Sequence, residues 1–258
     1  MNYLLGEDAR PVLQLLASKR TLCALDFDGT LAAIVADPRN AVLRPRTREL
    51  LRRLGALYPC IVVSGRARQD LLGSLEGLNV AQIIGNHGAE NTPAPQWRPL
   101  IEEWKAAVES RAGSIPGVWT EDKELSLAIH YRQAVNRAAA RRRILAAARG
   151  LREAWVYGGK LVVNIVHKRA PNKGDALAAE RKRLACDWIL YAGDDENDED
   201  AFALDGNVVS VRVGRRQRSH ALYYLRRQAE IDDLLELLIR LREQSVASSS
   251  AISHQGAP

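Results

Sequence analysis

The chain has 258 residues, 47% of them hydrophobic and 26% charged, with a formal net charge of +6. That balance supplies one large apolar core or two smaller ones and excludes a disordered chain. Apolar runs such as Cys60 to Val63 are too short to cross a bilayer, so no membrane partner is expected.

Glu7 and Asp8 interrupt the stretch that a signal peptide would need to be apolar. The positive charge sits in amphipathic segments such as Arg137 to Arg149 without a nucleic-acid motif, and no nucleic-acid partner is expected. Cys23, Cys60 and Cys186 lie in apolar segments with no metal-like spacing, as reduced core cysteines of a cytoplasmic protein would.

Short apolar runs alternate with helical patterns, which predicts an α/β fold with a mainly parallel sheet. The first strand, Thr21 to Leu25, opens into Asp26-Phe27-Asp28-Gly29-Thr30-Leu31. A helix then starts at Pro45, with Leu50, Leu51, Leu54 and Leu57 on one face. The second strand, Cys60 to Val63, runs into Ser64-Gly65-Arg66, and the third, Val80 to Ile84, into Gly85-Asn86-His87-Gly88.

The pattern changes after the Pro-punctuated stretch Thr92 to Pro99. A helix, strand character over Trp119 to Tyr131, an Arg/Ala-rich helix and strands near Trp155 and Lys160 to Val166 follow. They predict a second α/β unit over residues 93–168, inserted into a first domain made of 1–92 and 169–244. Residues 173–185 read as a helix opened by Asn172-Lys173-Gly174-Asp175. Trp188 to Ala192 runs as a strand into Gly193-Asp194-Asp195, and Val208 to Val213 is the next. A last helix over 231–242 sets Ile231, Leu234, Leu235, Leu238 and Ile239 on one side, and the Ser-rich tail 245–258 is expected to be disordered.

Ligands of open α/β sheets bind beyond the carboxyl ends of the strands, and here four such ends carry acids, a hydroxyl and glycines. Each has a plain structural reading taken alone. Asp26 and Asp28 could cap a turn, Ser64 a helix, and the acidic run after Gly193 could be a helix N-terminus. A calcium loop of the EF-hand kind is disfavoured, since neither register puts Gly at the sixth position.

The string Asp26-Phe27-Asp28-Gly29-Thr30-Leu31 after an apolar strand resembles the nucleophile motif of the haloacid dehalogenase (HAD) superfamily of phosphatases. The resemblance implies an HAD-like doubly wound parallel sheet core with an inserted α/β cap domain. It implies that Asp26 attacks phosphorus, that Asp28 serves as acid and base, and that Thr30 orients Asp28. Thr30, Ser64, Gly65 and Lys173 would surround the phosphate, with Lys173 relieving charge. Carboxylates facing a dianion need a cation, so Mg²⁺ is implied, with Asp26, Asp28, Asp194, Asp195 and Asp198 as candidate ligands.

A narrower resemblance covers nearly the whole chain except the tail. Gly85 to Glu90, Glu121-Asp122-Lys123 through His130-Tyr131-Arg132, and Gly193 through Phe202 look like the trehalose-6-phosphate phosphatases. It implies a sugar-phosphate substrate with Arg66, His87, Glu121, Lys123, His130, Arg132 and Asn164 at the sugar. Alternation along a strand sends at least one of His130, Tyr131 and Arg132 away from a ligand. Where that family commonly carries Glu, this chain has Asn164, which keeps another glycosyl phosphate, such as glucosylglycerol phosphate, as the alternative substrate. A non-catalytic sugar-phosphate sensor is the third reading, and a monomer or weak oligomer is expected.

Overall fold

The computed structural model describes residues 1–35, 40–91, 95–159 and 161–255; the expected boundary near residue 93, Lys160 and residues 256–258 lie outside the described residues. In chain order the strands are β1 (Asn2–Tyr3), β2 (Thr21–Leu25), β3 (Cys60–Val63), β4 (Gln82–Ile84), β5 (Trp119–Asp122), β6 (Ser126–His130), β7 (Ala154–Gly159), β8 (Val162–His167), β9 (Trp188–Gly193), β10 (Val208–Val213) and β11 (Tyr223–Leu225). The helices are α1 (Arg10–Ser18), α2 (Pro45–Leu57), α3 (Arg68–Leu75), α4 (Arg98–Ala112), α5 (Arg137–Ala148), α6 (Lys173–Arg183), α7 (Glu199–Phe202) and α8 (Glu230–Gln255).

Among the described residues, seven strands pair in the order β1-β11-β10-β9-β2-β3-β4, every neighbour parallel. Both faces are covered. Cys23 and Leu25 of β2 pack with Leu13, Leu51, Leu71 and Leu235 from α1, α2, α3 and α8, whereas Leu22 and Ala24 meet Leu177 and Phe202 from α6 and α7. Successive side chains serve opposite layers, so a strand buried on both sides reads as an unbroken apolar run. The expected doubly wound α/β core is present. Because β2 lies between β3 and β9, the chain winds outward in both directions from it, and the carboxyl ends of β2 and β9 flank the switch point.

The inserted segment builds an antiparallel sheet in the order β5-β6-β8-β7. Leu127, Ile129, Val163 and Ile165 bury one face against Ile101, Trp104, Val108 and Ile144 of α4 and α5. Register aligns Glu121, Ala128, Asn164 and Tyr157 across the four strands on the opposite face. That face meets the parallel sheet's loops, where the Lys123 ammonium donates to the Gly65 carbonyl (2.9 Å). The chain leaves the first unit beyond Gly88 and returns at Asn172, and these two points touch. Gly88 has φ 105°, and a side-chain carbon there would lie 2.3 Å from the Asn172 carbonyl oxygen, so only glycine fits.

Two features depart from expectation. The helix expected over 231–242 is longer: α8 runs from Glu230 to Gln255 and takes up part of the Ser-rich tail 245–258, because extending an anchored helix costs far less than starting one. The short strands β1 and β11, which finish one side of the parallel sheet, were not anticipated, since two or three residues carry no periodicity. No helix among the described residues is long and apolar enough to cross a membrane.

Candidate active site

Asp26 follows β2, and its backbone N–H donates to the Ala192 carbonyl of β9 (2.9 Å), tying the two strands at the switch point. Asp194 follows β9, Lys173 opens α6, and Asp198 closes the short turn after Asp195. One carboxylate oxygen from each of Asp26, Asp194 and Asp198 lies within 4.8 Å of the others, all three side chains buried. The Lys173 ammonium, 1% exposed, donates to Asp26 Oδ1 (2.8 Å) and Asp198 Oδ1 (2.6 Å). Asp198 Oδ1 also accepts from the Tyr191 hydroxyl (2.6 Å), and its Oδ2 from the N–H groups of Asp194 (2.7 Å) and Asp195 (2.8 Å). Four donors occupy its lone pairs, so Asp198 braces the cluster and the better-placed ligand oxygens are on Asp26 and Asp194. The polypeptide has to come close there: Gly29 has φ 86°, and a side-chain carbon on it would fall 2.2 Å from Asp194 Oδ2.

Three carboxylates against one ammonium leave negative charge uncompensated. Burial pushes Asp26 well above the usual carboxylate range, Lys173 pulls it back, and Asp198 and Asp194 add to the rise. Burial also works against the Lys173 charge, but Asp198 and Asp26 outweigh it and raise its pKa. At Asp198 burial loses to Lys173, the Tyr191 hydroxyl and the Asp195 N–H, and the pKa falls. A site of buried carboxylate oxygens suits a hard divalent cation, and Asp26 and Asp194 are the residues that would hold it.

Asp28 and Asp195, expected as ligands, do not join this cluster. Arg66 Nε and an Arg66 terminal nitrogen donate to the two Asp28 oxygens at 2.6 Å each, a fork formed across 38 residues. Asp195 Oδ1 accepts from the Glu196 N–H (2.8 Å) and caps the turn Glu196–Asp198. Thr30, expected to orient Asp28, makes no hydrogen bond to it among the described residues: Asp28 is turned to Arg66, and Thr30 Oγ1 is buried with no partner there. Ser64 is buried at the end of β3, and its Oγ accepts from the Arg66 N–H (3.2 Å).

Two supporting residues escaped sequence reasoning. Arg212 donates to the carbonyls of Asp194 (2.7 Å) and Asp195 (3.2 Å) and to Glu199 Oε1 (2.7 Å), holding the acidic turn in place. Its signal was available, a lone guanidinium in the wholly buried run Val208–Val213. Tyr191, inside another buried strand, gave none.

The open face of the inserted sheet brings most of the expected sugar residues over this cluster. Glu121 Oε2 lies 2.7 Å from His130 Nε2 and 3.8 Å from the Lys123 ammonium. His130 stacks on Trp119 (ring centroids 4.0 Å apart), and Asn164 is buried. Arg132 sits at the rim and donates to the Val35 carbonyl. Below them, Asn86 and His87 have φ of 49° and 58°, a left-handed backbone costing about 1–2 kcal/mol per residue. Burial, with Lys123 and Lys173 nearby, holds His87 well below the usual histidine range, so its ring is neutral. The Asn197 amide lies 3.1 Å from His87 Nδ1, and the His87 ring meets Tyr157 edge-on at 5.4 Å. Asn86 Oδ1, His87 Nε2, Tyr157 OH and Asn197 Oδ1 are buried at this seam with no hydrogen-bond partner among the described residues.

The trehalose-phosphatase family matches residues 24–217. The chain is similar to probable trehalose-phosphate phosphatase 9 of Oryza sativa subsp. japonica, 29% identical over 263 residues that cover 86% of this chain and 70% of that protein. A trehalose-phosphate phosphatase of Mycobacterium bovis is 31% identical over 253 residues, covering 88% of this chain and 64% of that one. Among solved structures, the C-terminal domain of Candida albicans trehalose-6-phosphate phosphatase shares the fold with a TM-score of 0.75 at 23% identity, over 90% of this chain and 96% of that domain.

Proposed function

The chain belongs to the trehalose-phosphatase family, and from that premise we propose that it hydrolyses trehalose 6-phosphate to trehalose and phosphate, with Asp26 as the nucleophile. The observation that carries this reading is the convergence of Asp26, Asp194 and Lys173 at the switch point, beneath the polar face of the inserted sheet.

An Asp26 oxygen attacks phosphorus, the bond from phosphorus to the sugar 6-oxygen breaks, and an aspartyl phosphate forms. Asp28 gives a proton to the leaving oxygen. It then takes one from the water that attacks the aspartyl phosphorus, which releases phosphate and restores Asp26. Arg66 now holds both Asp28 oxygens, and an arriving phosphoryl group gives its guanidinium a second anion to fork, freeing Asp28 for the leaving oxygen. Lys173 stabilises the attacking carboxylate, and the buried hydroxyls of Ser64 and Thr30, with the Gly65 backbone, line the phosphoryl position. Mg²⁺ held by Asp26 and Asp194 would supply the positive charge that a phosphate dianion needs beside these acids.

The sugar falls to His87, Glu121, Lys123, His130 and Asn164, with Arg132 at the rim. The buried free cysteines, Cys23, Cys60 and Cys186, support a cytoplasmic setting, and we read the enzyme as a monomer or weak oligomer. Phosphate release across trehalose 6-phosphate, glucose 6-phosphate and glucosylglycerol phosphate, with Mg²⁺, tests the assignment. Trehalose 6-phosphate is expected to have the highest kcat/KM. Faster turnover of either of the others would refute the substrate and favour the alternative raised by Asn164.

A further inference from the structure

We propose that the Tyr157 hydroxyl is a specificity-determining contact that binds a hydroxyl of the sugar together with Asn164. This deepens the reading of the same site as a trehalose-6-phosphate phosphatase and rests on it.

Tyr157 stands directly opposite Asn164 in the antiparallel pairing of β7 with β8, on the face that carries no helix. Side chains so paired begin about 4.5–5.5 Å apart, within reach of one small ligand group. Two residues further along β7, the backbone of Gly159 nears the catalytic unit. A side-chain carbon there would lie 3.2 Å from Asp195 Oδ2 and 3.3 Å from Asn164 Nδ2. The Tyr157 ring itself meets His87 edge-on. The hydroxyl is therefore at the seam where the inserted sheet meets the phosphatase site.

A buried hydroxyl normally has a partner, because leaving one desolvated and unpaired costs stability. Tyr157 OH has none among the described residues. Burial and the nearby charges of Asp195, Asp200 and Asp198 raise its pKa, so it remains a donor as well as an acceptor. Its unpaired neighbours are of mixed kind. The Asn197 amide nitrogen faces His87 Nδ1, which leaves His87 Nε2 as the donor of a neutral ring, while Asn86 Oδ1 and Asn197 Oδ1 are acceptors. A phosphate dianion only accepts hydrogen bonds and is repelled by amide oxygens. Sugar hydroxyls both donate and accept, and they satisfy such a set.

Tyr157→Phe removes the hydroxyl and keeps the ring against His87. Steady-state kinetics of parent and variant are read with trehalose 6-phosphate and with p-nitrophenyl phosphate, which has no sugar, alongside thermal melting. The expected result is a KM for trehalose 6-phosphate raised about tenfold with kcat little changed. The ratio of kcat/KM for trehalose 6-phosphate to that for p-nitrophenyl phosphate should fall by a similar factor, with a Tm no lower than the parent's. An unchanged ratio, or an equal loss on both substrates with a lowered Tm, would assign Tyr157 to packing alone and overturn the proposal. Should the parent prefer a different sugar phosphate, the substrate reading fails by itself, and the same ratio measured on that sugar phosphate still decides the role of Tyr157.

Discussion

Replacing Lys173 with methionine keeps the length and apolar stem of the side chain and removes only its charge. Lys173 is fully enclosed and donates at 2.8 and 2.6 Å to two buried carboxylates, with Asp194 close by. Removing one partner of a buried ion pair costs about 3–5 kcal/mol, because the other charges stay behind uncompensated. At about 2–4 °C per kcal/mol for a chain of this size, the metal-free Tm should fall by about 6–20 °C at neutral pH. The loss should depend on pH with a defined sign.

In the parent, Asp198 is depressed below 3.8, so its contribution is present above that value and disappears as pH falls through the folded pKa. Lys173 is raised above 10.5, so its contribution is complete below that value and lost as pH rises through the folded pKa. Between pH 5 and 8 these two terms are flat. In the variant, loss of the ammonium lets burial and mutual repulsion raise Asp198 and drive Asp26, already raised in the parent, higher still, so stability falls further as pH rises through their folded values. Thermal melts in EDTA at pH 5 and pH 8 measure this, the deficit being larger at pH 8. A deficit equal at both pH values, or below about 1 kcal/mol, would refute the placing of Lys173 as the counter-charge of the cluster.

Asp26→Asn should abolish phosphate release from every phosphate ester while leaving Tm equal or higher, since it relieves carboxylate crowding around Lys173; retained turnover would sink the nucleophile assignment. Chelation should stop turnover, and Mg²⁺ added to the metal-free parent should raise Tm, by the equivalent of about 2.7 kcal/mol at a hundred times Kd. A full rate in EDTA would contradict the cation role given to Asp26 and Asp194.

The parallel core was legible because its strands are short apolar runs buried on both faces: β2, β3 and β10 have the bounds that their sequences suggest. Pro45 likewise marks where α2 begins. What stayed hidden depends on partners far along the chain. Asn2–Tyr3 becomes a strand only by pairing with Tyr223 and Tyr224, and Asp28 is drawn from its neighbour Asp26 by Arg66. The acidic run after Gly193 announced a cation site but not the division of labour within it. That division is set by local N–H groups, which occupy Asp198 and Asp195 in different ways. Which cap residues share a face follows from strand register, which no single segment encodes.

The contact between Gly88 and Asn172 bears on how such a protein can be rebuilt. A segment that leaves and re-enters its host at one backbone contact forms a cassette, because the host's loop-closure entropy is nearly indifferent to the length enclosed. A foreign cap grafted between these two residues would meet an unchanged junction. Asn172 immediately precedes Lys173, so a graft that forced the two ends apart would be felt first as an ammonium displaced from Asp26 and Asp198, and recombining caps on this core is constrained by that single contact more than by cap size.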